Sequence, residues 1–277
     1  MPNWVKIKMT VTGAEHIVHH FLKTVTTRKD NLRQLDFARV IRPPKIYTYY
    51  YIGTGAEHDL VHVYLAHESL SDNPSKKFPS FCHSGLKYLG CDFSDLPTLQ
   101  EQYKRVVAKL LDLRDFDDRN TRVFVDEKQL VEYGKELIGA YRRYGTCDWY
   151  QWNCKYWGTK WNAVTDMISI KYIHESDQDM QCEITFNTAW CAPIPIFDKY
   201  AELFPELKFE IYWADEDTGV NTGYVEYVNG KQALYIENEN CSKQAYDTAI
   251  RLWELWDYWE FDPKQDNWVP INPEEED

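Results

Sequence analysis

The chain has 277 residues and a formal net charge of −13, from 31 Lys and Arg against 44 Asp and Glu. Its 44% hydrophobic content excludes an intrinsically disordered chain. The acidic balance disfavours non-specific binding to nucleic acid, because phosphates attract cations. No stretch has the roughly 18 uncharged apolar residues of a membrane span, and the first residues lack a signal-peptide pattern. We therefore expect a soluble, cytoplasmic protein.

Metal and cofactor motifs are missing from the sequence. The seven cysteines are an odd number without a CxxC pair, so we expect reduced, buried thiols and no metal cluster. His58 and His62 lie in a strand-like alternation with no third ligand at a fixed spacing. No complete phosphate-loop, HExxH or GxSxG motif occurs. We expect no cofactor and assign neither metal ligands nor catalytic residues.

The first predicted elements are a strand and a helix. Residues 5–11 alternate apolar and polar side chains, which is typical of a half-buried strand, and apolar residues at helical spacing over 17–25 predict a helix. The next stretch is less regular, and its predicted elements are strands at 47–52 and 60–65 and helices at 99–113 and 126–144. Asp148 and Gly158 then bracket a short helix as N-cap and stop signal.

The clearest local signal lies in the last third of the chain. Asn229 and Gly230 separate two alternating runs, and Asn-Gly is the favoured two-residue hairpin turn because both positions need positive φ. Ser242 is the predicted N-cap of a C-terminal helix over 242–258. The remaining predicted elements here are strands at 167–173, 182–188 and 209–213 and a helix at 193–204.

The order of these elements predicts an α+β fold. Without a long insertion the order is βαββαβ, the ferredoxin-like arrangement of an antiparallel sheet with both helices on one face. An extra hairpin and the C-terminal helix complete this architecture. We predict a ferredoxin-like core at 1–45 and 145–240, an insertion subdomain at 46–144, and a C-terminal helix with an acidic tail at 241–277.

A dense aromatic block carries a family resemblance. The segment Trp157-Gly158-Thr159-Lys160-Trp161-Asn162-Ala163 resembles the WGTKWNA signature of the YubB-like ferredoxin-like domain family of bacterial plasmids and phages. Other landmarks follow in the family's order: the strand end at Thr10–Gly13, the segment from Phe37 to Pro44, the F-x-T-x-W-x-x-P element from Phe186 to Pro193, and Phe204-Pro205-Glu206-Leu207. The resemblance implies a ferredoxin-like topology and no iron–sulfur cluster.

The resemblance implies a biological setting more than a mechanism. The family offers no enzymatic activity to transfer, and its members lie on mobile elements that often carry proteins acting against host defence. By this association we expect a protein that binds and modulates a host protein, as a counter-defence inhibitor.

The aromatic block is the first candidate binding site. Tryptophans with a neighbouring lysine can stack a base and neutralise a phosphate, but aromatic residues are also the commonest way to fill a core. Both interpretations stay open for this set of candidate residues: Trp157, Lys160, Trp161, Asn162, Thr188 and Trp190.

The C-terminal helix is the second candidate site. Trp253, Trp256 and Trp259 recur every three residues, and acidic residues such as Glu254 and Asp257 lie between them. An apolar stripe with a charged rim either docks a partner or packs on the protein's own sheet.

Four functional hypotheses follow. The first is a non-enzymatic protein that binds a host partner. The second is a small-ligand binder that sequesters a nucleotide through the Trp-Gly-Thr-Lys-Trp turn at Trp157 to Trp161. The third is an enzyme that acts on nucleic acid or nucleotides, and the fourth is an acidic mimic of nucleic acid.

Overall fold

A computed structural model of the protein describes residues 3–29, 32–47, 63–64, 67, 99–112, 126–146, 148–172 and 179–271. The chain divides into two compact units, one comprising residues 1–42 with 153–277 and the other residues 43–152. None of the helices in the described residues is long and apolar enough to cross a membrane.

The first unit is built on a six-stranded antiparallel sheet. Its strands are β1 (Trp4–Ala14), β4 (Val164–Tyr172), β5 (Asp179–Ala189), β6 (Lys208–Asp215), β7 (Gly223–Val228) and β8 (Lys231–Glu237). Their order across the sheet is β4-β5-β1-β6-β7-β8. β1 lies at the centre because it pairs with β5 on one side and β6 on the other. Its alternate residues from Val5 to Val11 are fully buried, which confirms the predicted alternation.

Two helices cover one face of this sheet, α1 (Glu15–Val25) and α5 (Ile194–Leu203). Phe21 of α1 meets Tyr200 of α5 at a ring-centroid distance of 5.3 Å and Phe209 of β6 at 5.4 Å, both edge to face. All three side chains are fully buried. This aromatic core holds the two helices against the same side of the sheet.

The opposite face carries helix α6 (Lys243–Trp253), which buries Ala249 and Leu252 against Ala214 of β6. The predicted helix over 242–258 is wrong beyond Trp253. Glu254 adopts a left-handed conformation with φ 58° and ends the helix, and its backbone N–H donates to the carbonyl of Ile250. A two-stranded hairpin follows instead, formed by β9 (Trp259–Asp262) and β10 (Asn267–Pro270).

The β7–β8 hairpin has the predicted turn. Asn229 and Gly230 have φ values of 51° and 75°, so both occupy the left-handed region that this turn requires. Sequence patterns missed a second hairpin, formed by β2 (Thr26–Lys29) and β3 (Leu32–Leu35). It is followed by a 3₁₀ turn over Phe37–Arg39.

The second unit contains helices α2 (Leu99–Asp112) and α3 (Glu127–Tyr144) and a 3₁₀ turn at Lys45–Tyr47. Asp126 caps α3 by accepting a hydrogen bond from the backbone of Gln129, and Gly145 ends the helix at φ 73°. Both ends agree with the predicted helix. Helix α4 (Trp149–Tyr156) begins after Asp148, whose carboxylate accepts from the backbone of Gln151.

The strands predicted at 47–52 and 60–65 fall in this second unit. Most of both lies outside the described residues. Where the structure describes the strand predicted at 60–65, that prediction is wrong, because Val63 and Tyr64 are helical. A short apolar run does not distinguish a strand from a buried helix.

Candidate functional site

The seven-residue motif after α4 contains buried side chains that hold the fold together. Trp157 is 5% exposed, and its indole N–H donates to the backbone carbonyl of Ile41 at 2.9 Å. The hydroxyl of Thr159 donates to the carbonyl of Ala189 at the end of β5 at 2.8 Å. Gly158 has φ 78°, and a Cβ there would lie 2.8 Å from Cδ of Pro195. These residues anchor the motif against the sheet and the start of α5.

Asn162 also holds the motif in place through hydrogen bonds. Its Oδ1 accepts hydrogen bonds from the backbone N–H groups of Phe37 and Ala163, at 2.9 and 3.0 Å. Its Nδ2 donates to a carboxylate oxygen of Asp36 at 2.8 Å. Asn162 therefore ties the motif to the 3₁₀ turn that follows the β2–β3 hairpin.

Lys160 and Trp161 of the motif belong to a surface group at the start of β1 and the end of β5. This strand-end aromatic cluster consists of Trp4, Lys160, Trp161 and Trp190. The Nζ of Lys160 lies 4.7 Å from the ring centroid of Trp161 and 4.7 Å from that of Trp190. The rings of Trp4 and Trp161 are 5.9 Å apart. Trp190 is 37% exposed, so one indole of the cluster faces solvent. The cluster offers aromatic faces and a positive charge within a few ångströms.

Trp190 is held in an unusual backbone conformation. Its φ of 72° lies in the left-handed region, which costs a bulky residue of the order of 1–3 kcal/mol. Its N–H donates to the carbonyl of Asn3 at 2.9 Å, and its carbonyl accepts from the Nδ2 of Asn221 at 2.9 Å. The side chain of the preceding Thr188 is buried and donates to the carbonyl of Cys191. These bonds fix the loop that presents the Trp190 ring.

A buried carboxylate organises the loops beside the cluster. Asp215 is 5% exposed and accepts hydrogen bonds from Asn3, from Asn221 and from the backbone of Asp217. Burial, with the neighbouring charge of Asp215, raises the pKa of the Cys191 thiol. Cys191 is therefore a protonated, weakly nucleophilic thiol at neutral pH.

The turn after α6 and the β9–β10 hairpin form a second surface group, the C-terminal aromatic surface, which consists of Trp256, Tyr258, Phe261 and Trp268. Trp256 is 53% exposed, Tyr258 67% and Phe261 39%. The half-buried Trp268 meets Trp256 at 5.9 Å and Phe261 at 5.8 Å, both edge to face. Trp256, Phe261 and Trp268 pack on one another and remain partly exposed, so they form an apolar patch on the protein surface. Tyr258 is exposed two residues after Trp256 in the same turn.

The other two tryptophans of the predicted stripe have packing roles. The indole N–H of Trp253 donates to the carbonyl of Ala214, and the ammonium of Lys6 lies 4.4 Å from its ring centroid. The ring of Trp259 stacks on Tyr246 of α6 at 4.9 Å. The three tryptophans do not form one helical stripe, because α6 ends at Trp253.

Acidic side chains border the C-terminal aromatic surface. Glu254, Asp257 and Glu260 are exposed, and they form no ion pair within the described part of the chain. One cation contacts the patch, Lys243, whose Nζ lies 4.4 Å from the ring centroid of Phe261 and is paired with Asp266 at 2.8 Å. The patch is thus apolar at its centre and negative at its border.

Sequence patterns missed two residues of these groups. They are Trp4, at the start of β1, and Trp268, in β10. The signal for Trp268 is the polar segment from Asp262 to Asp266, which separates an aromatic run from the short segment that contains Trp268 and is typical of a hairpin loop. Among the described residues, no three His, Cys, Asp or Glu side chains gather to hold a metal ion.

One comparison with known proteins, a match to a family model, supports the ferredoxin-like class of this fold. Residues 157–255 match the family model described as "Ferredoxin-like domain in Api92-like protein". No curated protein matches the chain. One similar solved structure is the crystal structure of protein api92 from Yersinia pseudotuberculosis, with 10% identity, a TM-score of 0.38, and coverage of 86% of this chain and 99% of that one. The segment that runs from the Trp157 motif to the end of α6 is thus similar to the ferredoxin-like domain of Api92-like proteins.

Proposed function

We propose that this protein is a non-enzymatic binding protein that docks on a partner protein through the C-terminal aromatic surface. The observation that carries the proposal is the exposure of Trp256 and Tyr258, at 53% and 67%, in the turn that joins α6 to the β9–β10 hairpin. Tryptophan and tyrosine dominate the binding energy of protein interfaces when they enter a desolvated pocket. Burial of two such side chains against a partner is favourable, because it removes apolar area from water.

Contacts within the protein hold most of the C-terminal aromatic surface in place. Trp268 meets both Trp256 and Phe261, and its indole N–H donates to the carboxylate of Asp247 in α6. The side chains of Trp256, Phe261 and Trp268 are therefore held before a partner arrives, which lowers the conformational entropy lost on binding. Their acidic border, formed by Glu254, Asp257 and Glu260, sets the chemistry of the partner. We propose that the partner presents an apolar pocket rimmed by lysine or arginine side chains.

The proposal also includes a biological setting for this binding. The resemblance of residues 157–163 to the signature of YubB-like proteins of plasmids and phages supports a mobile-element origin. On that basis we propose that the partner is a host protein, specifically a defence component that the chain inhibits in the host cytoplasm. This part rests on association, and the binding surface does not depend on it.

The proposal is tested by comparing partner binding in a double variant of the surface with binding in a control variant. Changing Trp256→Ala and Tyr258→Ala together removes the exposed rings without touching the core. Leu203→Ala is the matched control, because Leu203 is 44% exposed at the end of α5, away from the hairpin. We expect a partner co-purified from the lysate of the proposed host to be retained by the control and lost by the double variant. Equal retention by both variants would overturn the proposal.

A charge test separates the acidic border from the rings. Reversing the border with Glu254→Lys and Asp257→Lys should slow association with the partner and weaken its dependence on salt. The expected result is at least a tenfold lower association rate at low salt with little change in melting temperature. Unchanged rates would contradict the proposed basic rim on the partner.

A second function is favoured by the strand-end aromatic cluster. We propose as the alternative that this cluster binds a nucleotide, which would stack on Trp190 or Trp161 while Lys160 neutralises a phosphate. The supporting observation is the position of Lys160 Nζ, at 4.7 Å from both ring centroids. Base–aromatic stacking contributes about 1–3 kcal/mol per base.

Calorimetric titration with nucleoside mono- and triphosphates tests this alternative. We expect binding by the wild type, loss of binding in Lys160→Ala, and nearly the same melting temperature for both proteins. Absence of heat with any nucleotide would exclude the alternative. A large fall in melting temperature would show instead that Lys160 supports the fold.

A further inference from the structure

Strand β8 forms one edge of the six-stranded sheet. All seven of its residues, Lys231 to Glu237, are exposed, whereas three of the six residues in the neighbouring β7 are buried. At its centre Leu234, Tyr235 and Ile236 are 44%, 38% and 42% exposed. An edge strand offers unpaired backbone N–H and C=O groups, and apolar side chains on such an edge favour the addition of another strand.

The edge is only partly protected against such pairing. The β7–β8 ladder shifts register between Glu226 and Tyr227, which leaves Ala233 as a bulged residue near the turn. Beyond the bulge, residues 234–237 pair regularly with β7. The strand contains no proline, and its charged residues stand at its two ends, Lys231 and Glu237.

We propose that β8 pairs antiparallel with β8 of a second copy of this chain, so that two sheets join into one across a two-fold axis. The charges within the strand select the register. When Leu234 faces its own symmetry mate and the two strands pair residue by residue from Lys231 to Glu237, Lys231 lies opposite Glu237 of the partner subunit at both ends. Shifting the centre to Ala233 or Tyr235 places neither residue opposite a charge within the strand. The centred register therefore combines an apolar middle with two ion pairs.

The geometry also excludes the same ion pair within one chain. Lys231 and Glu237 are six positions apart in an extended strand, a separation of roughly 20 Å. Their opposite charges meet only across a two-fold axis. The contact is a single strand pair, so it belongs to the class of small interfaces and the dimer should depend on concentration.

This inference goes beyond the proposed function, because it uses β8 and no residue of the C-terminal aromatic surface. Sedimentation velocity of the full chain from about 1 to 100 µM measures the dimer directly. We expect a species of twice 33.0 kDa that grows with concentration. The same species should form in the Trp256→Ala, Tyr258→Ala double variant, which separates this inference from the proposed function.

Charge reversal tests the register. Lys231→Glu alone and Glu237→Lys alone each place like charges opposite one another and should weaken the dimer at least tenfold. The double variant Lys231→Glu with Glu237→Lys restores opposite charges and should restore the dimer. A monomer at every concentration, single variants that dimerise like the wild type, or a double variant that stays monomeric would each overturn the proposal. Circular dichroism melting confirms that every variant is folded.

Discussion

The side-chain amide of Asn162 donates a hydrogen bond to the carboxylate of Asp36 at 2.8 Å, across 126 residues of chain. The same side chain accepts from the backbone N–H of Phe37. The asparagine of the family-like motif is therefore engaged in the fold. Trp157 is buried in the same way, whereas Lys160 and Trp161 contribute to the surface. The motif thus combines an architectural part with a part that can contact a ligand.

The architectural part predicts a loss of stability on mutation. Asn162→Ala removes the hydrogen bonds to Asp36 and to the backbone of Phe37 and Ala163, each contributing about 1 kcal/mol. We expect the free energy of unfolding in urea to fall by about 2–3 kcal/mol. Gln244→Ala, an exposed position on α6, is the control and should change it by less than about 0.5 kcal/mol. Equal stability of the two variants would show that the motif is not structural.

The turn between β7 and β8 predicts a second stability effect. Gly230 has φ 75°, and a Cβ at this position would lie 2.9 Å from Cβ of Pro205. Gly230→Ala therefore combines backbone strain with a close contact, and we expect it to lower the free energy of unfolding by about 1–3 kcal/mol. Asn229→Gly keeps the turn and should be nearly neutral. The measurement is thermal unfolding of both variants, and a neutral Gly230→Ala would contradict the structure of the turn.

The raised pKa values of a thiol and a phenol predict that the native state loses stability at alkaline pH. Burial raises the pKa of the Cys182 thiol to about 12 and that of the Tyr224 hydroxyl to about 12. The unfolded chain releases the thiol proton near pH 8.5 and the phenol proton near pH 10, while the native state retains both. The stability associated with these protons is complete below about pH 8.5 and is lost as the pH rises towards 12.

Urea unfolding at a series of pH values above 8 measures this loss. The Cys182→Ala variant lacks the thiol and should show a shallower decline between about pH 8.5 and 10, where the tyrosine is still protonated in both states. The same pH dependence in the variant and the wild type would contradict a raised pKa at Cys182.

Local patterns predicted those elements whose signal lies within a few residues. The alternation around β1, the N-cap of α4 at Asp148 and the Asn229-Gly230 turn are confirmed, and the ferredoxin-like class follows from the order of such elements. Each of these signals depends on neighbours in sequence, because strand alternation, capping and turn chemistry are local properties.

The remaining features depend on distant contacts or on weak local preferences. The end of α6 was missed because the residue that ends the helix in a left-handed conformation is Glu254, where a sequence usually has glycine. The three-residue spacing of the tryptophans also favoured a longer helix. The β2–β3 hairpin was missed because its short strands are largely polar. The pairing of Asn162 with Asp36 and the meeting of Trp256 with Trp268 require the assembled fold, so no local pattern contained them.

The central claim is that the C-terminal aromatic surface binds a partner protein. Native mass spectrometry of the tagged full chain, purified from lysate of the proposed host, tests it most directly. We predict a complex heavier by tens of kilodaltons for the wild type and for Leu203→Ala, and its absence for the Trp256→Ala, Tyr258→Ala double variant. The same complex in the double variant, or no heavier species with the wild type, would contradict the claim.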